Sequence, residues 1–266
     1  LRNRVTLQGR VGIVAGGSGG IGSVTVKAFL ARGMRVAIAA QNDSLLEAIA
    51  AETVSYGERV LVVPTDITRR ADVDDLVAHT MNAFGRIDVL ANVAGVGSRP
   101  SFADSTNEEL ERVVLVNLLG AALLMHAVIP VMKAHGGGAI VNVGSVAGEA
   151  GVMGMYSATK FGLRGLCDTV RREMRSHNIS VSLIEPAFVA TRMNAAMKGL
   201  PPPEIVADAI VAAVVRPRRV RIVPAVYRVP VLFTKLFPGL TDLIFGDARI
   251  QRQLNRNAEV EMGGGS

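Results

Sequence analysis

Between about residue 8 and residue 223, short apolar runs alternate with helical patterns, and no other feature limits the fold as tightly. Arg10–Ala15, Arg35–Ala40, Arg59–Pro64, Val89–Asn92, Ala139–Val143, Ser180–Ile184 and Val220–Val223 read as buried strands. Helical stretches separate them: Gly20 to about Arg32, one N-capped by Asn42 or Asp43, Asp72–Phe84, 107–133, 155–176, and one that Pro203 opens. Gly33 and Gly85 stand where the first and third of these stop. Strands joined through helices of such length cannot form hairpins, so they run parallel and are covered on both faces. The expected architecture is a single-domain α/β fold: a Rossmann-like, doubly wound parallel sheet of about seven strands with helices on both faces. Ligands of such sheets bind at the carboxyl ends of the strands.

Composition agrees with one large globular domain: 266 residues, 49% hydrophobic and 20% charged. Cys167 is the single cysteine, which excludes an intrachain disulfide and fits a reducing, cytoplasmic setting. Leu1 to Arg10 is polar and basic, without the apolar core of a signal peptide. The Leu start reads as a lost native beginning and residues 262–266 as a linker scar. Val113 to Met132 carries no charge and is long enough to span a bilayer. Its Asn117, His126 and Pro130, and its place in the alternation, favour a helix packed on a sheet or on a partner subunit.

The formal charge of +6 is concentrated late, with nine cations against four carboxylates beyond residue 215. The body is nearly neutral and the basic cluster has no base-stacking aromatic motif, so nucleic acid is not an expected partner. No metal site is expected either. Residues 8–223 form the expected domain, and the proline-containing, basic and apolar segment 224–261 an appendage to it.

Gly16-Gly17-Ser18-Gly19-Gly20-Ile21-Gly22 follows the first strand and opens the first helix. Glycines at such a junction let the backbone turn sharply and approach a pyrophosphate, and the helix N-terminus presents N–H groups and positive dipole. Glycines also serve any tight strand–helix connection; the position at the first junction favours a dinucleotide. A second signal is Tyr156-Ser157-Ala158-Thr159-Lys160, opening a long helix. Residues four apart share a helix face, so phenol and ammonium point into one cleft. An adjacent lysine favours the phenolate and would lower the phenol pKa from about 10 toward the range of a general acid–base catalyst.

From about residue 8 to residue 215 the chain resembles the short-chain dehydrogenase/reductase family, on the spacing of Gly16, Gly20 and Gly22 and on Tyr156 and Lys160. The resemblance implies an NAD(P)-dependent oxidoreductase interconverting a carbonyl and an alcohol, here on a fairly apolar small molecule. It implies that Asp66, followed by Ile67, meets the adenine ring; taken alone, Asp66 reads equally as a helix-capping residue and Asn92 as a turn former. Asn92-Val93-Ala94-Gly95 stands for the Asn-Asn-Ala-Gly segment, making Asn92, Ala94 and Gly95 cofactor contacts alongside Ser18, Gly19 and Ile21. Ser145 would orient the substrate oxygen, a serine in a Gly-rich strand-end turn being the plainer alternative, and Asn117 would hold a relay water behind Lys160, with helix-to-helix bonding as its own. Pro186, Val189 and Thr191 lie in the segment expected beside the nicotinamide.

Several positions depart from the family pattern. Ala15 replaces a threonine, Val93 an asparagine and Ala187 a glycine, and Tyr156 stands only eleven positions after Ser145, about two fewer than expected.

Gln41 closes the second strand, where an acidic residue would bind the ribose 2′-OH and an arginine a 2′-phosphate. With no carboxylate in Ala40-Gln41-Asn42, NADP(H) is narrowly favoured over NAD(H). Met153, Met155, Met193 and Met197 offer an apolar substrate lining, or simply fill the core.

The helices at 107–133 and 155–176 are the expected contacts of a homodimer or homotetramer. Tyr227–Phe245 mixes apolar residues with Arg228 and Lys235, as a membrane-surface segment does. Pro230 and Pro238 break any long helix there and favour a lid or subunit contact instead. The rival functions are a catalytically silent nucleotide-binding regulator and an epimerase or dehydratase that retains its cofactor.

Overall fold

In the computed structural model, residues 6–99, 101–191, 194, 197–247 and 249–250 are described. Seven strands form one parallel sheet: β1 (Val11–Ala15), β2 (Arg35–Ala40), β3 (Val60–Pro64), β4 (Val89–Asn92), β5 (Gly138–Val143), β6 (Ile179–Pro186) and β7 (Val220–Val223). Their order is β3-β2-β1-β4-β5-β6-β7, so the chain reverses its direction of progress between β1 and β4. A crevice opens at such a switch point, where the loops leaving two neighbouring strands diverge. The register sets Ala15 opposite Asn92 and Asn92 opposite Asn142, which brings the expected phosphate loop and the Asn92–Gly95 segment side by side.

Helices cover both faces. On one, α1 (Gly20–Leu30), α2 (Asp43–Thr53) and α8 (Glu204–Val215) bury Val26, Phe29, Leu30, Leu46, Ile49, Val206 and Ile210 against the sheet. On the other, α3 (Arg70–Phe84), α5 (Ala121–Ala134) and α7 (Gly154–Glu173) bury Val73, Leu76, Leu124, Met125, Val128, Leu163 and Cys167. Local chemistry sets the ends. The Asn42 side chain accepts from Leu45 N at 2.9 Å and caps α2. Gly85 takes φ 75° to terminate α3, a conformation that would strain any residue with a Cβ. Thr106 and Glu109 form a reciprocal capping box at the start of α4 (Asn107–Val114).

The uncharged stretch around 113–132 is not one regular helix. A π-helical turn, Leu115–Gly120, joins α4 to α5 and turns Asn117 and Gly120 inward. By length and apolarity the run Asn107–Ala134 would cross a membrane; here Val113, Leu124, Val128 and Met132 lie in the core, as expected of a helix packed on the sheet.

Between Ser145 and Tyr156, the short connection contains a one-turn helix, α6 (Ala147–Ala150), closed by Gly151 in the left-handed region at φ 67°. After β7, two short helices follow, α9 (Arg228–Leu236) and α10 (Pro238–Phe245), broken at Phe237-Pro238.

Candidate active site

The loop after β1 is folded as a backbone cradle. Gly16 and Gly17 both donate to Ala39 O, at 2.8 and 3.1 Å, and Gly19 N donates back to Gly16 O at 3.1 Å. Gly16 has φ 78°, and a Cβ there would meet Ala94 N at 2.7 Å. At Gly22 a Cβ would lie 1.9 Å from Gly16 O, so glycine is what lets α1 start this close to the strand. No side chain caps the first turn of α1 and it contains no acidic residue, which leaves its N-terminus to an anion. Thr191 comes up against Gly20, its Cγ2 3.3 Å from where a Cβ would be, across 171 residues of sequence. These residues fit the pyrophosphate of a dinucleotide: the close approach is available, the dipole has the right sign, and no carboxylate opposes it. Ser18, Gly19, Gly20 and Ile21 form the turn from β1 into α1.

Asp66 is held by neighbouring backbone and side chains. Its Oδ1 accepts from Thr68 N at 2.9 Å and Thr68 Oγ1 at 2.7 Å, and its Oδ2 accepts from Gln41 Nε2 at 2.9 Å. The fold thus brings a carboxylate to the end of β2, where Ala40-Gln41-Asn42 alone supplied none. Ile67 is buried, with its side chain 2.8 Å from the position a Cβ on Gly120 would take.

Tyr156 and Lys160 enter from α7, which packs between α4–α5 and the end of β6. The half-buried Tyr156 phenol lies beside the Ser145 hydroxyl, which accepts from Ala147 N at 3.1 Å. Lys160 is buried beneath, its Nζ donating to Val143 O at 3.1 Å and lying 5.5 Å from the centre of the Tyr156 ring. A Cβ on Gly95 would meet Lys160 Nζ at 3.3 Å and Asn117 Oδ1 at 3.2 Å, so the Asn92–Gly95 loop runs directly over the ammonium. Burial sets both ionisations: it raises the phenol above its ordinary value, against a lowering by Ser145, and depresses Lys160 to about 8. The expected lowering of the phenol pKa by the lysine is therefore not seen. One of the three ammonium N–H groups is engaged by the β5 carbonyl, and desolvation of the phenolate outweighs the lowering by Ser145.

Asn117 clasps the loop backbone rather than presenting a free amide. Its Oδ1 accepts from Val96 N at 2.8 Å, and its Nδ2 donates to Val96 O at 2.9 Å and to Thr159 Oγ1 at 3.3 Å. Both amide hydrogens are used, so the expected relay water has no donor left on this side chain.

Asn92 reaches Asn142 at 3.1 Å inside the sheet. Pro186 O accepts from Val146 N at 3.0 Å, tying the end of β6 to the Ser145 loop, and Val189 is buried. Met153 and Met155 are half-buried at the entry of α7, whereas Met193 and residues 251–266, including 262–266, lie outside the described residues.

Sequence reading missed two groups. Ser98 is buried and its Oγ accepts from Tyr156 N at 3.1 Å, fixing the first turn of α7; its place shortly after Gly95 was the available signal. The second is a buried ionic cluster. Arg164, one turn beyond Lys160, pairs with Glu185 at 3.2 Å and with Glu149 of α6, and Lys235 of α9 closes on Glu149 from the other side. Desolvation pushes the Glu185 carboxyl up to about 7 despite Arg164 and Lys235, and its Oε2 has no hydrogen-bond partner among the described residues.

A glycine cradle at the switch point, beside a Tyr-x-x-x-Lys helix and a strand-end serine, defines a dinucleotide-dependent oxidoreductase of the parallel α/β class. The family profile described as short chain dehydrogenase matches residues 10–199, and the chain belongs to that family. It is accordingly an NAD(P)-dependent oxidoreductase acting on CH–OH groups.

Among similar proteins, a 3-oxoacyl-[acyl-carrier-protein] reductase of Synechocystis is 36% identical over 190 residues, 70% of this chain and 77% of that protein. A 3-alpha-(or 20-beta)-hydroxysteroid dehydrogenase of Mycobacterium bovis is 35% identical over 189 residues, 70% of this chain and 72% of the other. The crystal structure of a 3-ketoacyl-(acyl-carrier-protein) reductase from Brucella melitensis complexed with NADH superposes with a TM-score of 0.74 at 28% identity, covering 82% of this chain and 97% of that one.

Proposed function

We propose that this chain interconverts a ketone or aldehyde and the corresponding alcohol on a fairly apolar small molecule, with Tyr156 as the proton donor and acceptor. The observation that carries this reading is the Tyr156 phenol beside Ser145 and over the buried Lys160, linked through Gly95 and Ala94 to the cradle at Gly16. A bound nicotinamide supplies or receives the hydride. Tyr156 gives its proton to the carbonyl oxygen in reduction, and its raised pKa keeps that proton in place until the oxygen develops charge. Ser145 holds the same oxygen and stabilises the charge as it forms. Lys160 supports the phenolate that remains and meets the cofactor ribose. Asn117 and Ser98 act as positioning residues, the first by holding the Val96 loop over the ammonium and the second by fixing the start of α7.

The half-buried Met153 and Met155 support an apolar substrate. Related names point the same way, one acting on an acyl chain and one on a steroid. With Asp66 held against Gln41, the reason for favouring NADP(H) falls away, and NAD(H) is the cofactor this arrangement supports. The exposed Leu115, Leu119 and Phe161, on neighbouring helices, are the surface for self-association.

The test is oxidation of reduced nicotinamide, followed by absorbance, across a panel of ketones and aldehydes with both cofactors. Tyr156→Phe should reduce turnover by about 10²–10⁴-fold while cofactor binding persists. Near-wild-type turnover by Tyr156→Phe would remove Tyr156 from the chemistry. Cofactor binding without turnover on any substrate would favour the silent regulator, and a strong preference for NADPH would reverse the cofactor reading.

A further inference from the structure

Helices α9 and α10 are turned inside out. On α9, Val229, Leu232, Phe233 and Leu236 recur at the three- and four-residue spacing of one helix face, and that face points to solvent, with Val229 74%, Leu232 57% and Leu236 61% exposed. The side turned to the protein carries Val231 and Lys235, the latter held by Glu149. On α10, Leu240, Leu243 and Ile244 form the same kind of outward stripe, with Leu243 73% exposed, while Thr241 is buried and bonds to Phe237 O at 3.1 Å. Val226 and Phe237 extend the surface at either side of α9. A monomer's surface rarely presents apolar side chains in so continuous an arrangement.

Next to it lies a cationic groove of about 680 Å³ between α8, β7 and the start of the appendage, lined by Arg218, Arg221 and Arg228 together with Asp208, Ile205 and Ala225. None of the three arginines has a carboxylate partner among the described residues, whereas Asp208 is 3.8 Å from Arg32. We propose that α9 and α10 form a docking surface for an anionic membrane, their apolar stripes entering the acyl boundary while Arg218, Arg221 and Arg228 meet the headgroup phosphates.

The charge decides among occupants. A second copy set face to face on this surface would oppose like charges: of seven cations in the described residues 216–250, Arg219 and Lys235 pair with Asp168 and Glu149, which leaves five against the two carboxylates of that segment. A lid over the substrate would turn its apolar side inward, and here that side is in solvent. An anionic lipid surface satisfies both halves, apolar and cationic. The prolines that made a lid or subunit contact the better reading from sequence merely divide the surface into two short helices lying in one region.

The test is co-sedimentation of the full chain with vesicles of phosphatidylcholine alone and of phosphatidylcholine with phosphatidylglycerol in equal parts. Binding should be strong to the second, weak to the first, and reduced by salt. Leu232→Gln with Leu236→Gln should weaken binding to the mixed vesicles by roughly tenfold or more at unchanged thermal stability. Arg218→Ser, Arg221→Ser and Arg228→Ser together should do the same through the charge. Absence of binding to the mixed vesicles at low salt would overturn the proposal. So would full binding by both variants, or a leucine variant that dissociates an oligomer while its vesicle binding is unchanged.

Discussion

Helices α1 and α9 are apolar segments of similar length, eleven and nine residues, and they face opposite ways. Helix α1 turns Val26, Phe29 and Leu30 to the sheet and leaves Lys27 in solvent, where it pairs with Glu52 at 2.7 Å. Helix α9 buries Val231 alone and directs its lysine at a buried carboxylate while its apolar stripe faces out. Hydrophobic burial therefore holds the first helix, and its position in turn fixes the cradle at its N-terminus. The second is held to the body mainly by an ionic contact, so its apolar side chains are available to something outside the chain. A hydrophobic pattern identifies a helix in either case, but it does not say which side the rest of the molecule will take.

Changes in α1 should have the largest effects. Gly22→Ala puts a Cβ into the Gly16 carbonyl, so the cradle must shift: titration with reduced nicotinamide should show at least about tenfold weaker binding, with a stability loss of about 1–3 kcal/mol. Phe29→Ala, in the same helix but away from the cradle, should cost about 3–5 kcal/mol in denaturant unfolding. Leu232→Ala, on the outward stripe of α9, should cost no more than about 0.5 kcal/mol. Equal losses for Phe29→Ala and Leu232→Ala would abolish the contrast between the helices.

The ionic cluster gives a measurement of intermediate size. The Glu185 carboxyl is raised from an ordinary 4.5 to about 7, so folding favours its protonated form. Its contribution is complete below pH 4.5 and is lost as pH rises toward and through 7. Melting temperature should therefore fall with rising pH over that window, more steeply in the parent than in Glu185→Gln, and identical slopes would place the titration elsewhere. Lys235→Met should sharpen the point by removing a cation that lowers the Glu185 pKa: the window should move to higher pH. An unchanged window would show that α9 contributes little charge to the cluster.

Local and periodic features were legible in the sequence. Strands β2, β4 and β7 have the expected limits, and β1, β3 and β5 differ from them by one residue, because each lies between turn-forming residues and an apolar run. The glycine cradle and Tyr156–Lys160 were legible for a similar reason: their spacings within a loop or helix fix the geometry almost alone. Contacts between distant segments were not. Gln41 gave no sign that Asp66 would lie against it, nor Thr191 that it would meet Gly20. The short stretch between Ser145 and Tyr156 looked like a simple loop, since a single helical turn such as α6 is too brief to show a period. Asn117 was conspicuous as a polar residue in an apolar run, yet its clasp on Val96 depends on a π-helical turn with no sequence signature of its own.

The contact of Lys235 with Glu149 has a consequence for how the protein can be altered. Glu149 lies in the eleven-residue interval that carries the chain from Ser145 to Tyr156, and its two cations come from α7 and from the far end of the chain. Exchanging the tail for that of a relative would leave a buried carboxylate in the loop before α7 short of a counter-charge. Tail and loop are thus coupled through Glu149 rather than separable modules, and a graft that moves one should carry the other with it.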